Sequence, residues 1–535
     1  MDMSLADAEV EVLIVGGGPV GLTARALLER WGVRTLLVEK HRELSPFPRS
    51  RLVNVRTMEI FRRLGIADAV TATAFAPEYG RVRFRDTLRA PDFASAAMIG
   101  IDGPIPESPV VGVVTSQDRL EPLLLAAADA PIGFGVELLD LIDEPDGVQA
   151  RLVDHRRGMR ARVRAQYVLA ADGANSTVRQ QLGIGTTGPG AIGSNSTVVF
   201  DADLNEWRGE QPAGVYMTAH GFFGPMYPEG GWAWVGNVSG EQALADWAEL
   251  VAQAIGPGED IHIEVIRVQP WVVNAFVAER FRHGRVLLAG DAAHAVPPAG
   301  GLGMNTGIGD VHNLCWKLAG VLSGWAAPGL LETYAAERLP VAHRTLDQAV
   351  ANSRLMAQAQ QRRHAQLQEG TTPSGEVELP WSEQYFAQLG LVLGVTYRSA
   401  AVLAAEDAAA DSGTDYIPTA EPGHRMPHLW LTGDRSTLDA MGEWFTVFTP
   451  DRWLWKQQRS GAYPVRFESL TAEQADECRL GRHGALLVRP DGHIAAAWSD
   501  RPSRADLLHD TLTTVNSPGS AAPEGITGND RYASP

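Results

Sequence analysis

The chain has 535 residues, 45% of them hydrophobic and 21% charged, an ordinary globular composition that excludes a disordered, collagen-like or fibrous protein and predicts roughly two to four domains. With 46 Lys+Arg against 64 Asp+Glu the formal charge is −18, which excludes broad binding to phosphate backbones, so no nucleic-acid partner is expected. Two cysteines, Cys315 and Cys478, cannot build a disulfide framework or a four-thiolate metal site; no metal and a reducing, cytoplasmic home are expected.

The first residues, MDMSLADAEVEV, carry acids where a signal peptide needs cations. VEVLIV, residues 10–15, is a β-branched apolar run; GGGPVG follows, then a helix pattern, LTARALLERWG, and a second buried strand, TLLVE. This is strand–helix–strand with a right-handed crossover, the start of a parallel doubly wound sheet. From Arg81 to about Gly112 the pattern loosens around Pro104, Pro106 and Pro109. A helix is predicted over DRLEPLLLAAAD and a buried strand over QYVLAAD.

Residues 183–267 hold short aromatic strands separated by Gly and Pro, predicting an inserted antiparallel sheet. The parallel signal returns at RVLLAGD, before a Gly-rich loop and a helix over about Met304–Leu322. The apolar stretch Leu318–Leu331 is shorter than the ~20 residues that span a bilayer and is broken by Gly and Pro, so no membrane partner is expected. Glu332 to Gln368 reads as helices broken near Pro340, QEGTTPSGEVELP as a linker, and about His424–Trp498 as a separate α/β module. A disordered tail is expected over 516–535.

Gly16-x-Gly18-x-x-Gly21, with Pro19 and Val20 inside it, stands between strand and helix. Such glycines permit a tight turn, let backbone approach a pyrophosphate and allow close helix–strand packing, while the helix N-terminus attracts phosphate. Glu39, with Lys40 beside it, closes the second strand where an acid can accept ribose hydroxyls.

Two later segments bring a resemblance. DGANSTVR (172–179) and GDAAHAVPPAGGLGMNTGIGDVHNLCWKLA (290–319) resemble the second and third flavin motifs of the group A flavoprotein monooxygenases, the para-hydroxybenzoate and phenol hydroxylase family. The resemblance implies an α/β fold: a Rossmann-like FAD-binding domain (1–75, 108–182, 268–395), an inserted antiparallel substrate domain (76–107, 183–267) and a thioredoxin-like C-terminal domain (396–515). It implies noncovalent FAD, NAD(P)H as a transient reductant and O2 as co-substrate.

Residue by residue, the resemblance assigns Asp291 to the ribityl chain and Pro298, Gly301, Gly303, Met304 and Asn305 to the flavin side of the loop and helix. His294 and Pro297 complete that motif. Within PRSRLVNVRTMEIFRRLG, Arg49 matches a cofactor-contacting arginine, while Arg51 stands where some relatives carry glycine and its role is open. Gln117 matches a glutamine on the phosphate–ribose side, and Asp172, Gly173 and Arg179 would serve flavin and nicotinamide together; Arg179 could alternatively be a salt-bridging surface residue. Cys315 lies on an apolar helix stripe and reads as core, and solitary Cys478 makes the terminal module redox-dead. Trp453 and Trp455 read as buried packing.

The implied reaction transfers one oxygen from a C4a-(hydro)peroxyflavin to an aromatic small molecule. Alternatives are Baeyer–Villiger insertion, epoxidation or oxidative rearrangement through the same species, or a flavin protein that sequesters a pathway intermediate without turnover. Tyr216, Phe222, Phe223, Met226, Trp232 and Trp234 suggest an aromatic cavity suited to a polycyclic polyketide phenol or quinone. NADPH and NADH, and monomer and homodimer, are not separable from sequence.

Overall fold

The protein is described here from a computed structural model that covers residues 8–208, 212–238, 244–369, 388–404 and 415–518. The strand Ala8–Val15 is its axis: Val12 to Val15 are all buried because a parallel neighbour lies on each side, Met159–Ala170 and Thr35–Glu39. Val286–Leu288 and Ile132–Phe134 extend the parallel sheet outward. A hairpin, Val136–Glu144 and Gly147–Asp154, continues it antiparallel from Met159–Ala170. Helices Pro19–Arg30 and Leu302–Leu322 pack on this sheet in one core with Leu22, Leu28, Ile308, Val311 and Cys315.

The second sheet runs, edge to edge, His294–Ala295, Glu264–Ala278, Thr186–Asp201, Gly230–Gly236, Gly221–Tyr227, Val215–Thr218, Arg81–Arg85, Asp92–Ala97. The sheet is mixed rather than wholly antiparallel, because Val215–Thr218 pairs in parallel with Arg81–Arg85, which arrives from a distant part of the chain. Glu264–Ala278 is also one continuous strand across the boundary expected at residue 268: thirteen of its residues pair with Thr186–Asp201.

Glu332–Gln368 is a single helix that retains Pro340. Proline forfeits one helical hydrogen bond, but the adjoining turn is pinned from outside: Glu337 bonds Lys317 and Arg489, and Arg338 bonds Asp310 and Tyr397. Tertiary packing, not propensity, carries the helix through.

The C-terminal sheet has the order Val465–Ser469, Phe445–Thr449, Ala485–Val488, Ile494–Trp498, its first pair parallel and the others antiparallel. It docks through Phe445, Leu487 and Trp455 against Trp316 and Leu330. Trp455 is buried as expected, but Trp453 is 76% exposed, because the four-residue helix Arg452–Trp455 turns it away from the sheet. Beneath this junction Arg425 pairs with buried Glu59, and Lys317, Glu337, Arg489 and Asp491 form one buried ionic network. Most of the expected linker and tail, 370–380 and 519–535, lies outside the described residues.

Candidate active site

The glycines of the first turn do different work. A Cβ on Gly21 would meet the Gly16 carbonyl oxygen at 2.0 Å, and one on Gly16, at φ +108°, would meet the Ala171 carbonyl oxygen at 2.3 Å. These two let helix and strands approach. A Cβ on Gly18 would meet nothing within 4 Å, so that position faces open space at the start of helix Pro19–Arg30. Pro19 opens the helix where no N–H is needed, and half-buried Val20 packs towards Gly290 and Gly307. Glu39 accepts the Gly17 N–H at 2.7 Å through one oxygen and the His41 N–H at 2.9 Å through the other. It braces the turn while keeping acceptor capacity, and Lys40 beside it is exposed.

The second and third motifs meet beside this turn. Asp172 accepts from Ser176 Oγ at 2.6 Å and Val178 N–H at 3.1 Å, and so braces the N-terminus of Thr177–Gln181 while staying half-exposed. Gly173, at φ +82°, leaves open space after the strand. Arg179 is buried and not a surface residue: it donates to the carbonyls of Ala292 at 2.8 Å and Ala174 at 2.7 Å and stacks over Phe276. It ties the second motif to the third. Asn305 is likewise turned inward, accepting the Asn54 N–H and donating to the Leu52 and Gly301 carbonyls. All three follow one rule: a polar group at a tight turn satisfies its neighbours in the chain first.

Asp291 is the opposite case. Its side chain is exposed, yet it sits deep among protein atoms, and that burial pushes its carboxyl pKa up, with His294 and Arg49 opposing. An accessible group at such depth lines the floor of a cleft. Arg49 is exposed over the same cleft, near both Asp291 and Glu121. Gln117 forms the wall, donating at 2.7 Å to Glu121, which also accepts the Ser45 N–H. The turn Pro298–Gly303 leads into Leu302–Leu322; Pro298 is exposed, Gly300 and Gly301 have φ +96° and +64°, and Met304 packs on the main core. Open space at Gly18 and Gly173, a reachable acid, a facing cation and two helix N-termini fit a dinucleotide cofactor, with negative charge favoured at each N-terminus.

One feature under the cleft is absent from the sequence reading. Asp310, fully buried, accepts from the Gly290 N–H at 3.0 Å and from Arg338 Nε at 2.8 Å, and it lies 2.6 Å from His294 Nε2. Although burial opposes it, this company holds the Asp310 carboxyl below its ordinary range. The polar line Asp310, Asn313 and Lys317, at three-to-four spacing beside the apolar stripe of a long helix, was the available signal.

Above the cleft, alternation divides the second sheet into two faces. Tyr216, Phe223, Trp232 and Trp234 all point outward, into a core with Trp247, Val251 and Ile255 of helix Leu244–Ile255. They are therefore packing residues and not a cavity lining. Phe222 and Met226 occupy the inner face, Met226 buried against Val199 and Ala233 and Phe222 half-buried. With them lie Phe84, Val215 and Met217, against which Leu52 packs; Leu52 also abuts Gly301. Arg51 crosses from the first domain to this face, donating to the carbonyls of Gly214 at 3.1 Å and of Pro225. Burial lowers its pKa to about 10 although part of its surface remains accessible. A Cβ on Gly224 would strike this guanidinium.

Comparison with known proteins agrees with this geometry. Residues 9–349 match the FAD binding domain family and residues 419–518 the aromatic-ring hydroxylase C-terminal family. The chain is 37% identical to a provisionally assigned polyketide hydroxylase of Streptomyces halstedii, over 95% of this chain and 98% of that one. It is 35% identical to the 4-methyl-5-nitrocatechol 5-monooxygenase of a Burkholderia species, over 95% and 98%. Among solved structures, the flavin-dependent monooxygenase PieE in complex with FAD and substrate superposes with a TM-score of 0.85 at 33% identity, covering 95% of this chain and 99% of that one. The chain belongs to the FAD-dependent aromatic-ring hydroxylases.

Proposed function

We propose that this chain oxygenates a polycyclic aromatic phenol or quinone of polyketide type, with NAD(P)H as reductant and O2 as oxidant. The observation that carries the reading is the facing pair of surfaces joined by Leu52: the Pro298–Gly301 turn below and the half-buried apolar side chains Val215, Met217 and Phe222 of the inner face above. An inner wall with aromatic and Met side chains suits a flat ring system. The similarity to a polyketide hydroxylase supports the same substrate class.

FAD would be held by the turn at Gly18, by Glu39, Arg49, Gln117 and Asp291, and by the Pro298–Met304 segment; when bound it supplies the redox and oxygen-activating chemistry. The chain's own residues bind, orient and exclude water. The N-terminus of Leu302–Leu322 offers positive potential to whatever lies before it, and Asp310 and Arg338 hold that helix and the Gly290 turn in place. An open groove of about 670 Å³ between Arg42 and Arg267 suits the transient approach of a dinucleotide reductant. The C-terminal module, in the strand–helix–strand, helix, hairpin, helix order of a thioredoxin-like domain, serves as a non-redox brace: Cys478 is buried and its thiol pKa is pushed up to about 12. A cytoplasmic enzyme acting as monomer or homodimer fits this reading. A screen of phenols, naphthoquinones and polycyclic polyketides for stimulated NAD(P)H oxidation tests it; the reading requires stimulation by a polycycle above that of any single-ring benzoate, and the reverse ranking would contradict it.

A further inference from the structure

Arg51 carries a full charge at the inner face with only backbone carbonyls for partners. No carboxylate among the described residues pairs with it, and burial alone accounts for its depressed pKa. Three deeply buried cations beside the C-terminal module have carboxylates, Arg338 with Asp310, Arg425 with Glu59, and Arg489 with Glu337 and Asp491, whereas Arg51, like Arg63 and Arg179, has none; Arg51 alone of these three stands against the inner face of the second sheet. An uncompensated buried charge is costly and gains most from an anion. Its backbone neighbour Leu52 touches Gly301, and its guanidinium lies on Gly224 and Pro225 of the roof, so it stands between turn and sheet.

We propose that Arg51 recognises an oxyanion in the substrate cavity, holding the ionised oxygen of a phenol or hydroxyquinone and selecting substrates in that form. The inference rests on the reading of this cleft as an aromatic oxygenase site. A guanidinium can exchange neutral carbonyl acceptors for a charge-assisted bond without moving far. An ionised phenol is also the more electron-rich ring, the form best able to accept oxygen from an electrophile. Gly224 is part of the device, since a side chain there would displace the guanidinium.

The test uses FAD-loaded full-length protein and a hydroxyanthraquinone whose phenolate has its own visible band, beside its O-methyl ether. At one pH unit below the free phenol's pKa, the bound ligand should show the phenolate band, and the ether should bind about tenfold or more weakly, the range of a charge-assisted bond. Arg51→Gln should abolish both differences, and Arg51→Lys should retain part of them. A neutral bound phenol in the unmodified protein, or equal affinity for phenol and ether, overturns the proposal without any variant. An unaltered phenolate band in a folded, FAD-replete Arg51→Gln protein also overturns it. A variant that shifts only the flavin's reduction midpoint assigns the anion to reduced flavin and does the same. If neither ligand binds, the proposal falls together with the reading of the site.

Discussion

The two faces of the second sheet are built from the same strands and are packed in opposite ways. The outer face holds Tyr216, Phe223, Trp232 and Trp234 against a helix, with Phe200 edge-on to Phe223 at 6.5 Å. The inner face has fewer aromatics, a glycine at 224 and a cation reaching in from the neighbouring domain. Bulk marks the face that is sealed; gaps and a cation held only by carbonyls mark the face proposed to meet substrate. Aromatic density along a strand is thus a signal for core as much as for a ligand cavity.

Substitutions on the two faces should separate sharply. Trp232→Ala should remove about 3–5 kcal/mol of stability, read as a lower denaturation midpoint, with substrate affinity unchanged in the protein that remains folded. Phe222→Ala on the inner face should leave the melting temperature nearly unchanged and raise KM several-fold with FAD content preserved. Equal effects on stability would erase the distinction between the faces.

A comparable contrast divides the two aspartates of the third motif. Asp310→Ala should cost about 3–5 kcal/mol, because Arg338 and His294 lose their buried partner. Asp291→Asn should spare the fold and weaken FAD binding about tenfold, the loss of one charge-assisted bond, measured by flavin fluorescence. The acid limbs should differ too. Asp310 has a folded pKa below its ordinary 3.8, so its stabilisation is present above that value and is lost as pH falls through the folded value. Asp291 has a folded pKa above 3.8, so its term favours the folded state at low pH and is lost as pH rises through the raised value. Asp310→Asn should therefore flatten the acid side of the unfolding profile, read by circular dichroism, while Asp291→Asn should not.

Within the first turn, Gly18→Val should give a folded protein that purifies without flavin, whereas Gly21→Val should fail to fold, since only the latter meets backbone. Smallest of all, Cys478→Ser and added reductant should leave turnover within error, because the buried thiol stays protonated at neutral pH.

Much of this architecture is legible in the sequence. The run VEVLIV, the glycine turn and TLLVE announce the parallel sheet because buried strands are continuously apolar and turns need glycine. Asp291 and Pro298, which the motif singles out, are both exposed. What stays hidden depends on partners distant in sequence. Pro340 does not break its helix because Arg489, 149 residues later in the chain, bonds Glu337. Asp172, Arg179 and Asn305 carry the motif's residue types but serve its backbone, and strand alternation alone does not say which face of a sheet meets the cofactor domain. Arg51 acquires meaning only beside Gly224, which no local pattern connects to it.

The central claim is that the two surfaces joined by Leu52 enclose an oxygen-transferring site for a polycyclic ring. Single-turnover reaction of the FAD-loaded protein with NAD(P)H, a hydroxyanthraquinone and isotopically heavy O2, followed by mass spectrometry of the product, tests it most directly. The account predicts one heavy oxygen atom in the product and reductant consumption accelerated by the ring compound. Reductant consumption indifferent to the ring compound, or a product whose new oxygen comes from water, would contradict it.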